Sequence, residues 1–117
     1  MQTIGNTVTG AFEVTVPDGT VNCTPEVRVK KGNTGVISVC LTGKYIDEYK
    51  LVGVVIDKDT DLRGACKKYR LNSEAMLIID DNLRLAGPTE RIKFSILVKG
   101  KKANGKTLFM DPHIVNE

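Results

Sequence analysis

The sequence has few aromatic residues and almost no histidine: among 117 residues there are three Phe, three Tyr, no Trp and one His. A core with so few rings must be packed mainly from Val, Ile and Leu, and β-branched residues favour strands. A single histidine also excludes a blue-copper centre, which takes two histidines and a cysteine. This scarcity favours an all-β chain and rules out electron transfer through copper.

The cysteines do not form a disulfide framework or a recognisable metal site. Cys23, Cys40 and Cys66 are odd in number and contain no Cys-x-x-Cys pair. With His113 they total four soft ligands, but none lies at the short spacing of a structural zinc site. A Cys–His nucleophile pair needs an activated thiol, whereas Cys40 lies in an apolar strand, where burial raises the thiol pKa. We expect packing cysteines, with no metal and no cofactor.

Long apolar runs are also missing. No segment approaches the roughly 20 apolar residues that cross a bilayer, so no membrane partner is expected. Residues 1–10 lack a positively charged start and an apolar run of signal-peptide length. The sequence therefore predicts a cytoplasmic protein, or a secreted one if a leader has been removed.

The charge is mild and the composition is that of an ordinary globular domain. Seventeen basic and 14 acidic residues leave a net charge of +3, and hydrophobic residues make up 41% of the chain. Charge alone therefore does not imply nucleic acid, which is not the expected partner. A chain of this length is expected to form a single domain over residues 1–117.

Short strands separated by turn residues run through the whole chain. Strand-like segments occupy 12–16, 27–30, 36–41, 49–56, 75–79, 91–98 and 107–115, the last broken at Pro112. No long amphipathic helix lies between them. The pattern predicts an all-β chain, an antiparallel β-sandwich of seven or eight strands with an immunoglobulin-like or cupredoxin-like Greek key.

Several of these segments carry finer predictions. The Gly-containing stretch 31–35 is expected to join its flanking strands as a hairpin. The apolar run 49–56 predicts a central strand buried on both faces, whereas 91–98 alternates and predicts one wet face. Turns are expected at 17–19 and 104–106.

Two segments have helical character. Residues 45–49 can form one helical turn. The segment 62–71 is ambiguous between a strand and one short helix, because Leu62, Ala65, Cys66 and Tyr69 fall at helical spacing.

The acidic run after residue 56 has the spacing that opens a calcium loop. Asp57, Asp59 and Asp61 follow the D-x-D-x-D pattern, but Leu62 and Lys68 stand where an EF-hand requires Gly and Glu. A solvated turn is the simpler interpretation. No Gly-x-Ser-x-Gly elbow, His-Glu-x-x-His helix, Walker loop or dinucleotide fingerprint follows any strand.

Basic residues gather in three places, at Lys30 and Lys31, at Lys67, Lys68 and Arg70, and at Lys99 to Lys102, and five of them define a candidate anion-binding site. Its members are Lys67, Lys68, Arg70, Lys101 and Lys102. If the fold brings them together, a phosphate-rich ligand could bind there, with Tyr69 as the residue nearby that could stack on a base. The alternative is that these side chains solvate turns and protect exposed sheet edges from unwanted strand pairing.

Two segments resemble a known group of proteins. The C-terminal Asp111-Pro112-His113-Ile114 resembles the Asp-Pro-x-Ile-type strand that closes certain bacterial sandwich proteins, and residues 27–32 are similar to the V-x-V-x-x-G turn of cupredoxin-like folds. The chain thus resembles bacterial cupredoxin-like or immunoglobulin-like proteins of unassigned function, including the inclusion-body protein family. That resemblance implies a cytoplasmic sandwich, here without the copper ligands.

Three functional hypotheses follow. The first is a non-enzymatic β-sandwich module that acts through its surface, by self-association into an oligomer or by binding a protein partner. The alternative is binding of an anionic ligand or nucleic acid through lysine-rich loops. The third is an enzyme using Asp57, Asp59 or His113, for which spacing identifies no paired acid and base.

Overall fold

The described residues form a β-sandwich of ten strands. A computed structural model describes residues 7–16, 22–23, 26–44, 46–72, 74–82, 87–102, 105 and 107–117. The strands are β1 (Thr7–Thr15), β2 (Asn22–Cys23), β3 (Glu26–Val29), β4 (Asn33–Thr42), β5 (Tyr49–Ile56), β6 (Cys66–Asn72), β7 (Ala75–Asn82), β8 (Glu90–Gly100), β9 (Thr107–Met110) and β10 (His113–Asn116). The described residues contain no α-helix, and the all-β prediction is confirmed.

The strands form two sheets. The first has the order β2-β1-β4-β7-β6, and the second has the order β3-β10-β8-β5 with β9 also beside β8. The sheets are mixed, because β1 with β4 and β3 with β10 are parallel pairs while the other pairs are antiparallel. Between β1 and β4 the chain forms β2 beside β1 and then β3 in the second sheet, and it returns to the first sheet as β4 in the direction of β1.

The core lies between the sheets and is built by simple alternation. In β8, Ile92, Phe94, Ile96 and Val98 are buried, and the residues between them point away from the core. Phe12 of β1 packs across the core against Phe94, with ring centroids 6.2 Å apart. Burying an aliphatic or aromatic side chain of this size contributes about 1.5–3 kcal/mol. The alternating burial along β8 confirms the prediction that this strand has one wet face.

The predicted hairpin around residues 31–35 is wrong. Strands β3 and β4 belong to different sheets, so the segment is a crossing between layers. Gly32 has a φ of +83°, which favours glycine, and its amide donates to Asn82 O at 2.7 Å. Gly35 passes so close to β3 that a Cβ there would lie 2.7 Å from Val29 Cγ2. The absence of a side chain at Gly35 therefore allows the two layers to approach each other closely here.

The prediction that residues 49–56 form a central, doubly buried strand is also wrong. β5 pairs with β8 and has no second partner among the described strands, so it is an edge strand there. Val52 and Val55 are 42% and 52% exposed, while Leu51 and Val54 are buried. The run is continuously apolar because valine occupies the outward positions of this strand as well as the buried ones, so it does not show that both faces are buried.

The ambiguous segment 62–71 is a turn followed by strand β6, not a helix. Asp61 organises the turn, since its Oδ1 and Oδ2 accept the backbone amides of Ala65 and Cys66 at 2.9 and 3.0 Å. The helical turn expected at 45–49 is confirmed as a 3₁₀ turn at Ile46–Glu48. The turn predicted at 17–19 lies outside the described residues, as do residues 104 and 106 of the turn predicted at 104–106.

Candidate ligand-binding face

The side of the second sheet that points away from the core carries polar, charged and exposed apolar side chains together. We call it the outer face. Its members are Glu26 and Arg28 of β3, Lys50, Gly53 and Val55 of β5, Arg91, Lys93, Ser95, Leu97 and Lys99 of β8, Thr107 and Phe109 of β9, and His113 of β10. Alternation places them together, because buried neighbours occupy the opposite side of each strand.

One end of the outer face is a cluster of four lysines. Lys50 and Lys99 are directly opposite each other on β5 and β8, and both are exposed. With Lys101, Lys102 and Gly100 they line a cavity of about 290 Å³. The Lys101 amide donates to Glu48 O at 2.8 Å, which fixes this connection against the 3₁₀ turn. We call Lys50, Lys99, Lys101 and Lys102 the lysine cluster.

The lysine cluster carries little compensating negative charge. Its ion pair within the described part of the chain joins Lys102 Nζ to Glu48 Oε1 at 3.9 Å, between exposed side chains. Exposed pairs of this length contribute between about 0 and 1 kcal/mol. Like charges directly opposite on adjacent strands destabilise a sheet. The pairing of Lys50 with Lys99 is therefore unfavourable unless an anion lies between them.

The middle of the outer face is apolar. Phe109 is 62% exposed and stands opposite Leu97, which in turn stands opposite Gly53 on the other side of β8. A Cβ on Gly53 would meet no atom within 4 Å, so the space above this position is open. We call Phe109, Leu97 and Gly53 the platform.

The far end of the outer face is polar. A cavity of about 410 Å³ lies there, lined among others by Lys93, Ser95, Asp111 and His113. Ser95 Oγ donates to Asp111 Oδ1 at 3.3 Å, and His113 Nε2 lies 2.8 Å from Glu26 Oε1. Serine and histidine thus each pair with a separate carboxylate, and no hydrogen bond among the described residues joins them as nucleophile and base.

Glu26 is the centre of the charge arrangement at this end. Its carboxylate contacts His113 and Arg28 Nε, the latter at 2.8 Å, while Arg91 Nη2 lies 4.0 Å away. The hydrogen bond to His113, with the charge of Arg28, lowers the pKa of Glu26. One carboxylate is therefore held ionised among three basic side chains.

The five basic residues singled out from the sequence are distributed between different places. Lys101 and Lys102 join the lysine cluster. Lys67 is exposed on the far side of the first sheet, while Lys68 Nζ donates to Val54 O. Arg70 donates through Nη2 to Val52 O at 2.6 Å and through Nη1 to Asn72 O at 2.9 Å. Lys68 and Arg70 thus cover backbone carbonyls of the β5 edge, as the edge-protection alternative requires.

The acidic run and the cysteines have structural contacts. Asp57 Oδ1 accepts the Asp59 amide at 3.1 Å, and within the described ranges no group of three or more His, Cys, Asp or Glu residues is placed to hold a metal ion. Burial raises the pKa of the Cys40 thiol, as predicted, and raises that of Cys66 far above its usual range. The side chain of Cys23 lies outside the described residues.

Sequence reasoning missed Lys50 and Phe109, and it noted Lys99 among the basic residues 99–102 without including it in the candidate site. Lys50 and Lys99 are 49 residues apart in sequence and become neighbours through the β5–β8 register. The sequence predicts a last strand at Phe109 without indicating on which side of the sheet its ring lies, and it indicates Tyr69 as the residue that could stack on a base. Tyr69 lies on the first sheet, opposite Leu77 and on the side facing away from the core. Only the alternation of β8 could have indicated that Lys93, Lys99 and Leu97 share one side.

Comparisons with the models of protein families and with curated proteins find no match for this chain. In the described part of the chain, no helix has the length and apolar character needed to cross a membrane. The outer face itself is therefore the observation from which a function has to be inferred.

Proposed function

We propose that this domain is a non-enzymatic binding module and that its lysine cluster binds an anionic group of the ligand. The observation that carries the proposal is the direct opposition of Lys50 and Lys99, with Lys101 and Lys102 around the same cavity. Four ammonium groups around one cavity create a positive potential that attracts an anion. A bound phosphate or sulfate would relieve the repulsion between the opposed lysines.

Two features favour an oppositely charged ligand over self-association. A twofold dimer interface brings the same surface patch of both copies together. If two copies met through their outer faces, the lysines of one copy would repel the lysines of the other. Lys68 and Arg70 occupy carbonyl oxygens of the β5 edge, which hinders strand pairing with another copy at that edge. The charge of the face instead complements a polyanion.

Calorimetric titration with inorganic triphosphate tests the proposal. The unmodified protein is compared with Lys50→Gln/Lys99→Gln and with the control Lys31→Gln/Lys67→Gln, which removes two exposed lysines elsewhere. We expect the first variant to weaken binding about tenfold or more, equivalent to about 1.4 kcal/mol, and the control to leave it nearly unchanged. Affinity should also fall between about 50 and 200 mM salt.

Three results would contradict the proposal. These are no binding of triphosphate, an equal loss of binding in both double variants, and an affinity that does not change with salt. Loss in the control alone would transfer the anion site to the surroundings of Lys31 or Lys67, away from the lysine cluster.

A further inference from the structure

We infer that the ligand of the outer face is single-stranded nucleic acid, whose phosphates contact the lysine cluster and whose bases stack on Phe109. This inference rests on the proposed function and adds to it the identity of the ligand. It depends on the platform lying next to the cations on one continuous surface.

The platform has the form that base stacking requires. Phe109 exposes 62% of its surface, so its ring is accessible to a planar ligand. Leu97 beside it is half-buried, and the absence of a side chain at Gly53 leaves open space on the other side of Leu97. A planar base can lie over this surface, because every base presents a π-face to an aromatic ring.

Cations flank the platform at both ends along β8. Lys99 lies on one side of Leu97 and Lys93 on the other, and the two are six residues apart, about 20 Å along an extended strand. Both side chains are exposed. A phosphate backbone crossing the platform would therefore meet basic residues before and after the stacked base.

The local charge differs from the modest net charge of the chain. The value of +3 averages over all surfaces, whereas the outer face carries Lys50, Lys93 and Lys99 with no ion pair among the described residues. Of the carboxylates at its far end, Glu26 is bound by Arg28 and His113, and Asp111 accepts a hydrogen bond from Ser95 Oγ. The net charge of the chain does not favour nucleic acid as a partner. Nucleic-acid binding, however, depends on how the basic residues are distributed over the surface.

An acidic peptide fits this surface less well. Extended peptides usually bind by adding a strand to an open sheet edge, and on the β5 edge the carbonyls of Val52 and Val54 are already occupied by Arg70 and Lys68. Carboxylates could pair with the lysines but would leave the ring of Phe109 without a stacking partner. A nucleic-acid strand uses both features.

Fluorescence anisotropy with labelled oligothymidylate of about 12 nucleotides, within the range of site sizes for single-strand binders, tests the inference. The matched probe is a deoxyribose-phosphate chain of the same length without bases. We expect the oligothymidylate to bind at least about tenfold more tightly than the abasic chain, as stacking of this kind provides. Phe109→Ala should remove that difference, and Phe109→Tyr should retain it.

Control variants separate this inference from the proposed function. Lys50→Gln/Lys99→Gln should weaken both probes, and Tyr69→Ala on the first sheet should weaken neither. Equal binding of both probes, or equal effects of Phe109→Ala on both, would overturn the nucleic-acid inference while anion binding stands. Failure of the abasic chain and of triphosphate to bind would instead overturn the proposed function. Tighter binding of polyglutamate than of oligothymidylate would overturn the inference in favour of an acidic protein partner.

Discussion

Asn116 Nδ2 donates to Asp80 Oδ1 at 2.9 Å, and neither side chain has any exposed surface. The bond connects β10 of one sheet to β7 of the other through the core. Asp80 Oδ2 has no hydrogen-bond partner among the described residues. Burial raises the pKa of Asp80, and the interactions with the side chains of Asn116 and Cys66 offset only part of that effect. The sandwich thus contains a carboxyl group whose charged form is disfavoured.

Replacing this carboxyl group should stabilise the protein at neutral pH. The pKa of Asp80 is higher in the folded protein than in the unfolded chain. Its contribution to stability is therefore fully present below the unfolded pKa, where the carboxyl group is protonated in both states. That contribution is lost as the pH rises through the folded pKa, because the buried group then has to ionise. Asp80→Asn can still accept from Asn116 and has no charge to bury. We expect its free energy of unfolding to exceed that of the unmodified protein by about 1–3 kcal/mol at pH 8.

Urea unfolding at pH 4 and pH 8 measures this effect, and the advantage of Asp80→Asn should be larger at pH 8. The control is Asp81→Asn, which removes the same charge from an exposed neighbour whose Oδ1 accepts from Thr34 Oγ1 at 3.3 Å. If Asp80→Asn is instead less stable at both pH values, the ionised carboxylate is required by the fold.

Gly35 is required by the close approach of the two layers. A Cβ at this position would lie 2.7 Å from Val29 Cγ2 and 3.0 Å from Ile37 Cδ1, and Val29 and Ile37 are fully buried. Gly35→Ala should lower the free energy of unfolding by about 1–3 kcal/mol, as overpacking does. The control Gly53→Ala adds a methyl group to open space and should change stability by less than about 0.5 kcal/mol. Equal effects of the two substitutions would show that the contact with Val29 carries no strain.

The sequence predicts local features well and pairings poorly. The alternation from Arg91 to Val98 identifies both the strand and its wet face, because the side-chain period of a strand is visible in one segment. The apolar run of β5 predicts a central strand, but β5 lies at an edge. A run of apolar residues shows which residue types are present and does not show how many strands lie beside them. Gly32 signals a turn correctly, but a turn signal does not say whether the next strand stays in the same sheet. The lysine cluster depends on the β5–β8 register, which a single sequence does not contain.

Lys68 and Arg70 should keep the β5 edge from associating with other copies. Their side chains donate to Val54 O and Val52 O, which otherwise lie on an edge with an exposed valine surface. Lys68→Ala/Arg70→Ala uncovers these carbonyls, and open edges pair with other strands. We expect a higher mass in multi-angle light scattering as concentration rises.

The control for this experiment is Lys67→Ala, which removes a charge from the same strand on the side that faces away from the core. It should remain at the mass of the unmodified protein at every concentration. If the mass of Lys68→Ala/Arg70→Ala also stays at that of the unmodified protein, the side chains of Lys68 and Arg70 hold β6 against β5 without protecting the β5 edge from association.

Cys66 should be chemically inert while the protein is folded. Its side chain is 7% exposed, and burial together with the carboxylates of Asp80 and Asp61 raises the pKa of its thiol far above the usual range. Since the thiolate is the nucleophile, iodoacetamide at pH 8 should modify Cys66 only after unfolding in urea. Cys40 is half-buried, and burial raises its pKa as well, so it should react slowly but before Cys66. Peptide mapping by mass spectrometry distinguishes the two sites, and modification of Cys66 in the folded protein at the rate of a free thiol would mean that the turn held by Asp61 opens in solution.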